Sequence, residues 1–177
     1  MKEAEDKAGL KLNLGCGDKM RRGYVNVDLN CSPDVRCDLS VFPWPFEDAS
    51  ADEVFSEHFL EHVADYERTM LEIHRILKPG GLLHFKVPHF RSPYYPWHLH
   101  RQAFSSVTCR ILCWKLPYQF GGRQLFDFVK LRYNYVFVPH ALAWILTPLA
   151  NVVKSAWEYF GLPIDEIECW AVRHVDE

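Results

Sequence analysis

The chain has six cysteines, at positions 16, 31, 37, 109, 113 and 169, and no Cys-x-x-Cys pair among them. A thiolate zinc site needs two closely spaced cysteine pairs. No metal site is therefore expected, and reduced thiols in a cytoplasmic setting are the default. An excess of positive charge is also missing: 20 Lys and Arg face 23 Asp and Glu, a net charge of −3. A chain that grips phosphate backbones carries a basic footprint, so no nucleic-acid partner is expected. No apolar run reaches the about 20 residues of a membrane-spanning helix. The most apolar stretch, Ala141 to Val153, is shorter and interrupted by Pro148. The opening MKEAEDKAG is charged and lacks an apolar core, so no signal peptide is expected there. Residues 1–9 are expected to form a flexible tail. What is present is a core: 49% hydrophobic and 15% aromatic residues in a chain of 177, enough for one domain.

The organising stretch is Lys11 to Asp28, KLNLGCGDKMRRGYVNVD. Leu10, Leu12 and Leu14 alternate as in a short buried strand. The strand ends in Asn13-Leu14-Gly15-Cys16-Gly17. Two glycines one residue apart allow a sharp turn and remove side chains that would block a ligand. A second apolar run, Tyr24 to Val27, ends on Asp28. Strand, glycine turn, second strand and terminal acid are how an open α/β sheet holds a nucleoside: the turn takes the charged end and the acid takes the ribose hydroxyls. A dinucleotide site is disfavoured by spacing. Its third glycine would fall at Met20, and Asp28 follows Gly15 by only thirteen residues, too few for the helix that a pyrophosphate needs. A tight turn between core strands with Asp28 as a surface acid is the plainer alternative.

Leu-Asn-Leu-Gly-Cys-Gly followed by Val-Asn-Val-Asp resembles the first two motifs of class I S-adenosylmethionine (SAM) methyltransferases. Further phrases extend the resemblance over residues 10 to 88. Glu53-Val54-Phe55-Ser56-Glu57-His58 to Val63 resembles the family's fourth-strand motif. Leu71 to Phe85, with Ile-Leu-Lys-Pro-Gly-Gly-Leu-Leu inside it, is similar to the helix and fifth strand. The resemblance implies an α/β, Rossmann-like sheet, mostly parallel with an antiparallel edge strand, and SAM as cofactor. It implies cofactor contacts from Asn13, Leu14, Gly15, Cys16, Gly17, Asp28 and Leu29, and from Glu57 at the end of the fourth strand. Asp38-Leu39 matches the pair that contacts the adenine in the family; Asp38 reads equally well as a turn cap before Ser40. The single domain divides into a SAM-binding half, 10–88, and a substrate-covering and sheet-edge half, 89–177. The first two crossovers look nearly helix-free, unlike larger family members.

Elsewhere, period alone is informative. Phe42-Pro43-Trp44-Pro45-Phe46 reads as a rigid aromatic loop. Tyr66, Met70, Ile73 and Leu77 form a helical stripe, so a helix is expected from Asp65 to Leu77, stopped by Pro79-Gly80-Gly81, with a strand from Leu82 to Pro88. A helix is expected over 105–114, one or two strands over 125–138, a helix broken near Pro148 over 140–160, and a last strand over 164–175. The apolar 141–153 segment reads as a packed helix ahead of a membrane-surface or dimer helix; a homodimer is among the expected assemblies.

Methyl transfer from a sulfonium is an in-line displacement, so the protein's part is alignment and exclusion of water. A hydroxyl or amine acceptor can also use a base, most often His. His58, His98 and His100 are the candidate catalytic residues, with His89 also near the expected pocket. Glu61 and His62 are expected to orient the next loop or helix, and His98-x-His100 alone is a weak metal signal. Tyr94, Tyr95 and Trp97 could hold a ring or sugar face. The expected activity is methylation, O- or N-directed, of a small-molecule or glycan acceptor. The alternative is a SAM-binding protein without catalysis, serving assembly or regulation.

Overall fold

The structure is a computed structural model and describes residues 9–93, 95, 96, 98–135, 140–152, 158 and 164–175. Tyr94, Trp97 and residues 1–8 therefore lie outside the described residues, as does much of the expected 153–160 helix. Seven strands form one sheet: β1 (Lys11–Leu14), β2 (Val25–Asp28), β3 (Val35–Arg36), β4 (Ala51–Glu57), β5 (Leu77–Pro88), β6 (Phe126–Asn134) and β7 (Glu166–Arg173). Their spatial order is β3-β2-β1-β4-β5-β7-β6. β1 through β5 run parallel, and β7 runs antiparallel to both β5 and β6. The antiparallel strand thus lies one position in from the edge, which β6 forms.

Inward side chains make the core: Leu12, Leu14, Val27, Val54, Leu83 and Phe85 are fully buried. Helix α1 (Tyr66–Ile76) starts at Asp65, whose side chain accepts from the Arg68 N–H at 2.9 Å. Its buried Met70, Ile73 and Ile76 each stabilise by about 1.5–3 kcal/mol through burial. The helix ends earlier than Pro79-Gly80-Gly81 predicts. Leu77 is already extended and pairs with Ala51 across a bulge, because a residue preceding the X-Pro bond is pushed toward β geometry and drags its neighbour with it. The strand expected from Leu82 therefore begins at Leu77.

No helix lies between β1 and β4. In its place the aromatic loop packs inward: Trp44 is buried, stacks on Phe42 at 5.7 Å and donates its indole N–H to the Leu39 carbonyl at 3.2 Å. In the second half, α2 (Ser106–Ile111) is shorter than expected and opens with a Ser105–Thr108 capping box. β6 is one strand. Helix α3 (His140–Val152) runs through Pro148 where a break was expected. Asn151 helps hold its end: the side chain accepts from the Tyr133 N–H at 2.9 Å and donates to the Tyr133 and Thr147 carbonyls at 2.8 and 2.6 Å. Among the described residues no helix is long and apolar enough to cross a membrane. All six cysteines are free.

Candidate functional site

The strand order reverses at β1, between β2 and β4. Loops on either side of such a switch point diverge and leave a crevice at the strands' carboxyl ends. A cavity of ≈ 400 Å³ lies there, within the size range of ligand pockets. Gly15 follows β1, Asp28 ends β2, Asp38 and Leu39 follow β3, and the turn after β4 brings Phe59 and His62.

Gly15 is required twice over. Its φ is +64°, and a Cβ there would come within 2.5 Å of the Phe59 ring. Its N–H bonds the Val27 carbonyl at 2.9 Å, tying the turn to β2. Asp28 organises both flanking loops: one oxygen accepts from the Gly17 N–H at 2.9 Å, the other from the Asn30 N–H at 2.8 Å. Each carboxylate oxygen keeps a further lone pair for a hydroxyl at the cavity. Asp38 accepts from the Ser40 N–H and hydroxyl at 2.9 and 2.6 Å, bonds that hold its carboxyl below the ordinary range. It is a turn cap and it lines the cavity.

Five sequence-nominated cofactor residues line this cavity: Gly15, Asp28, Leu29, Asp38 and Leu39. Leu14 is fully buried in the core. Asn13, Cys16 and Glu57 line a second, smaller cavity of ≈ 170 Å³, together with Lys19, Met20, Arg21 and Phe55. Asn13 there holds the turn itself, donating to Asn26 Oδ1 at 2.9 Å and to the Lys19 carbonyl at 3.1 Å. Glu57 is paired with Lys19 Nζ at 2.6 Å; burial opposes its charge, but Lys19 and Lys86 hold its carboxyl below the ordinary range.

The histidines sort differently from their order in the chain. His58 adopts φ +54° and lies between two carboxylates, Nδ1 3.2 Å from Glu61 and Nε2 3.1 Å from Glu166. Burial works against its charge, yet the hydrogen bonds and charges of Glu166 and Glu61 lift its pKa to about 9. Both of its ring nitrogens are engaged by carboxylates, and it does not line the cavity. His89 is fully buried on Glu158 at 3.1 Å. His98 is exposed and does not line the cavity. His100 meets His62 edge-on at 4.9 Å between ring centres, and His62 lines the wall. Sequence reasoning gave His62 an orienting role only, and it passed over Phe59 and Arg101, which also line the cavity. No local pattern marks these residues; they arrive by the turn after β4 and by the return of the chain at 98–102.

Residues 18–85 match a family model described as a methyltransferase domain. The dimethylglycine N-methyltransferase of Parasynechococcus marenigrum is 33% identical over 78 residues, 44% of this chain and 28% of that enzyme. The chain thus matches little more than a quarter of that relative's length. Among solved structures, a chain of the complex between the Haloferax volcanii Trm112 methyltransferase activator and a methyltransferase superposes with a TM-score of 0.59 at 19% identity, covering 95% of this chain and 84% of that one. The Burkholderia thailandensis 1,6-didemethyltoxoflavin-N1-methyltransferase, solved with its substrate and S-adenosylhomocysteine, gives 0.58 at 16% identity, covering 94% and 71%. Residues 18–85 thus match a methyltransferase domain, and the fold of the chain is that of class I SAM-dependent methyltransferases.

Proposed function

We propose that this chain transfers the methyl group of SAM to an oxygen or nitrogen of a small molecule or glycan precursor. One observation carries the reading: the ≈ 400 Å³ cavity sits at the carboxyl ends of β1 to β4, with Asp28 and Asp38 on its wall. These residues fit a nucleoside. Asp28 would hold the ribose hydroxyls, Asp38 and Leu39 would hold the adenine, and the Gly15–Gly17 turn would take the charged end. The smaller cavity with Asn13, Cys16 and Glu57 borders the methionine end. Bound SAM supplies both the methyl group and its leaving group. The protein aligns the acceptor and keeps water out; His58, bonded to Glu61 and Glu166, orders the turn after β4. The free cysteines support a cytoplasmic setting.

Calorimetry with S-adenosylhomocysteine tests the cofactor site, and absence of binding would end the proposal. Release of S-adenosylhomocysteine from SAM, followed over a panel of carboxylic acids, amines, phenols and sugar nucleotides, tests the reaction. Binding without turnover on any of them would favour the non-catalytic reading.

A further inference from the structure

At the mouth of the cavity, Glu61, His62 and His100 converge. One ligand atom from each lies within 4.8 Å of the others. His62 and His100 come from separate stretches of chain, brought together by the Glu61 carbonyl, which accepts from the Arg101 and Gln102 N–H groups at 2.7 and 3.2 Å. In both rings Nδ1 faces a backbone carbonyl: Leu99 at 3.2 Å for His62 and Tyr95 at 3.1 Å for His100. A carbonyl only accepts, so Nδ1 carries a hydrogen in each ring, and Nε2 is the atom each would offer an ion. Metal-ligating histidines show this arrangement, with the second nitrogen fixed by a backbone carbonyl or carboxylate.

A second, independent observation concerns Glu61. Its residue is 1% exposed, and Oε2 has no hydrogen-bond partner among the described residues. A buried carboxylate oxygen left this way is costly. Its other oxygen, Oε1, lies 3.2 Å from His58 Nδ1 and 3.8 Å from His62 Nε2, so the carboxylate borders the histidine pair.

We propose that Glu61, His62 and His100 form a site for a divalent transition metal ion, with the ion's remaining coordination positions facing the cavity through His62. Two imidazoles and one carboxylate suit Zn²⁺ at about 2.0–2.2 Å, with a fourth position left for water or substrate. They also suit the three-ligand facial geometry with open positions. The neighbouring Glu57–His58–Glu166 group is a different case, because there both His58 nitrogens are already hydrogen-bonded to carboxylates, Glu61 and Glu166. An ion beside the cavity would hold an acceptor through oxygen and favour its deprotonated form. This last clause rests on the methyl-transfer reading; the metal site itself does not.

The test is titration of chelator-treated full-length protein with Zn²⁺ by calorimetry and with Co²⁺ by visible absorption. One equivalent is expected to bind with a tetrahedral or five-coordinate Co²⁺ spectrum. His62→Ala and His100→Ala should each weaken binding at least about tenfold, while His98→Ala, its exposed neighbour, should bind like the parent. Glu61→Gln tests the carboxylate, with circular dichroism as a check on folding. Acetohydroxamate, an oxygen-donor probe, should alter the Co²⁺ spectrum. Failure to bind one equivalent, equal binding by the His62 and His100 variants, or equal loss in His98→Ala would overturn the site. A spectrum unmoved by acetohydroxamate would overturn the open positions. S-adenosylhomocysteine titration of the same samples separates the two proposals: metal binding without S-adenosylhomocysteine binding leaves this one standing and removes the other.

Discussion

Asp28→Ala probes the cofactor site most directly, and the structure supplies its control. The Asp28 carboxylate ties the Gly17 and Asn30 N–H groups at 2.9 and 2.8 Å while lining the cavity. If it also accepts from a ribose hydroxyl, the variant loses a hydrogen bond to a charged group, about 1.5–3 kcal/mol. That corresponds to a Kd for S-adenosylhomocysteine raised about 10- to 150-fold. Loosening of the two loops could imitate this effect. Asp34→Ala distinguishes them: Asp34 accepts from the Asn26 N–H and side-chain amide, both at 2.8 Å, and so braces the same strand, but it does not line the cavity. Calorimetry with S-adenosylhomocysteine, beside thermal melts of both variants, should show a lower melting temperature in each and a weaker Kd only in Asp28→Ala. Parent-like affinity in a folded Asp28→Ala protein would refute the ribose assignment. Equal weakening in Asp34→Ala would assign the effect to loop order.

Gly15→Ala should lower the melting temperature and remove S-adenosylhomocysteine binding. The αL backbone costs a Cβ-bearing residue about 1–2 kcal/mol, and the Phe59 ring 2.5 Å from the new Cβ must also move; an unchanged melt would contradict this geometry. Glu158→Gln should cost about 2–4 kcal/mol in urea unfolding. The buried carboxylate accepts from His89 at 3.1 Å, the Ser106 N–H at 2.7 Å, Tyr133 at 3.0 Å and the Ser106 hydroxyl, and an amide NH₂ cannot accept from any of them. Burial alone would raise the Glu158 pKa, but those donors bring it from 4.5 down to about 2. Its contribution is therefore complete above pH 4.5 and is lost as pH falls toward 2, a slope that urea titrations should find in the parent and not in Glu158→Gln. His58 should titrate near pH 9 by NMR, and lower in Glu166→Gln. Its raised pKa contributes stability fully below 6.5 and loses it as pH rises through 9; a ring titrating at its ordinary value would refute the two-carboxylate geometry.

What the sequence made legible is what local physics controls. The glycine turn, the acid ending β2 and the apolar stripe of α1 depend on residues within one or two turns of each other, so spacing reveals them. The candidate catalytic histidines follow from proximity to motifs, and proximity in sequence does not decide what surrounds each ring. The state of His58 is decided by Glu166, 108 residues further on, which β7 delivers by pairing next to β5. His100 reaches His62, a residue of the cavity wall, because the Arg101 and Gln102 N–H groups bond the Glu61 carbonyl, which no pattern in 98–102 announces. Asp38 caps Ser40 through one oxygen, and the same carboxylate lines the cavity, where the proposed adenine contact would fall.

The helix-free front end poses a problem that only the structure answers. A parallel crossover normally lays a helix over the sheet, and this cavity wall at 37–42 has none behind it. Its support is α1, acting through one arginine. Arg75 donates to the Trp44 and Phe46 carbonyls at 3.2 and 2.8 Å, to Asp48 at 2.6 Å and to Glu72 at 2.6 and 3.0 Å. Glu72 in turn accepts from the Trp44 N–H at 2.6 Å, and the Trp44 indole holds the Leu39 carbonyl. The Leu39 side of the cavity is thus braced by a chain of hydrogen bonds running from α1 through Trp44 to Leu39. Two features that looked separate in the sequence, a proline-rich aromatic loop and a helix carrying Glu72 and Arg75 three residues apart, are one device. It does for a short crossover what a packed helix does in a longer chain.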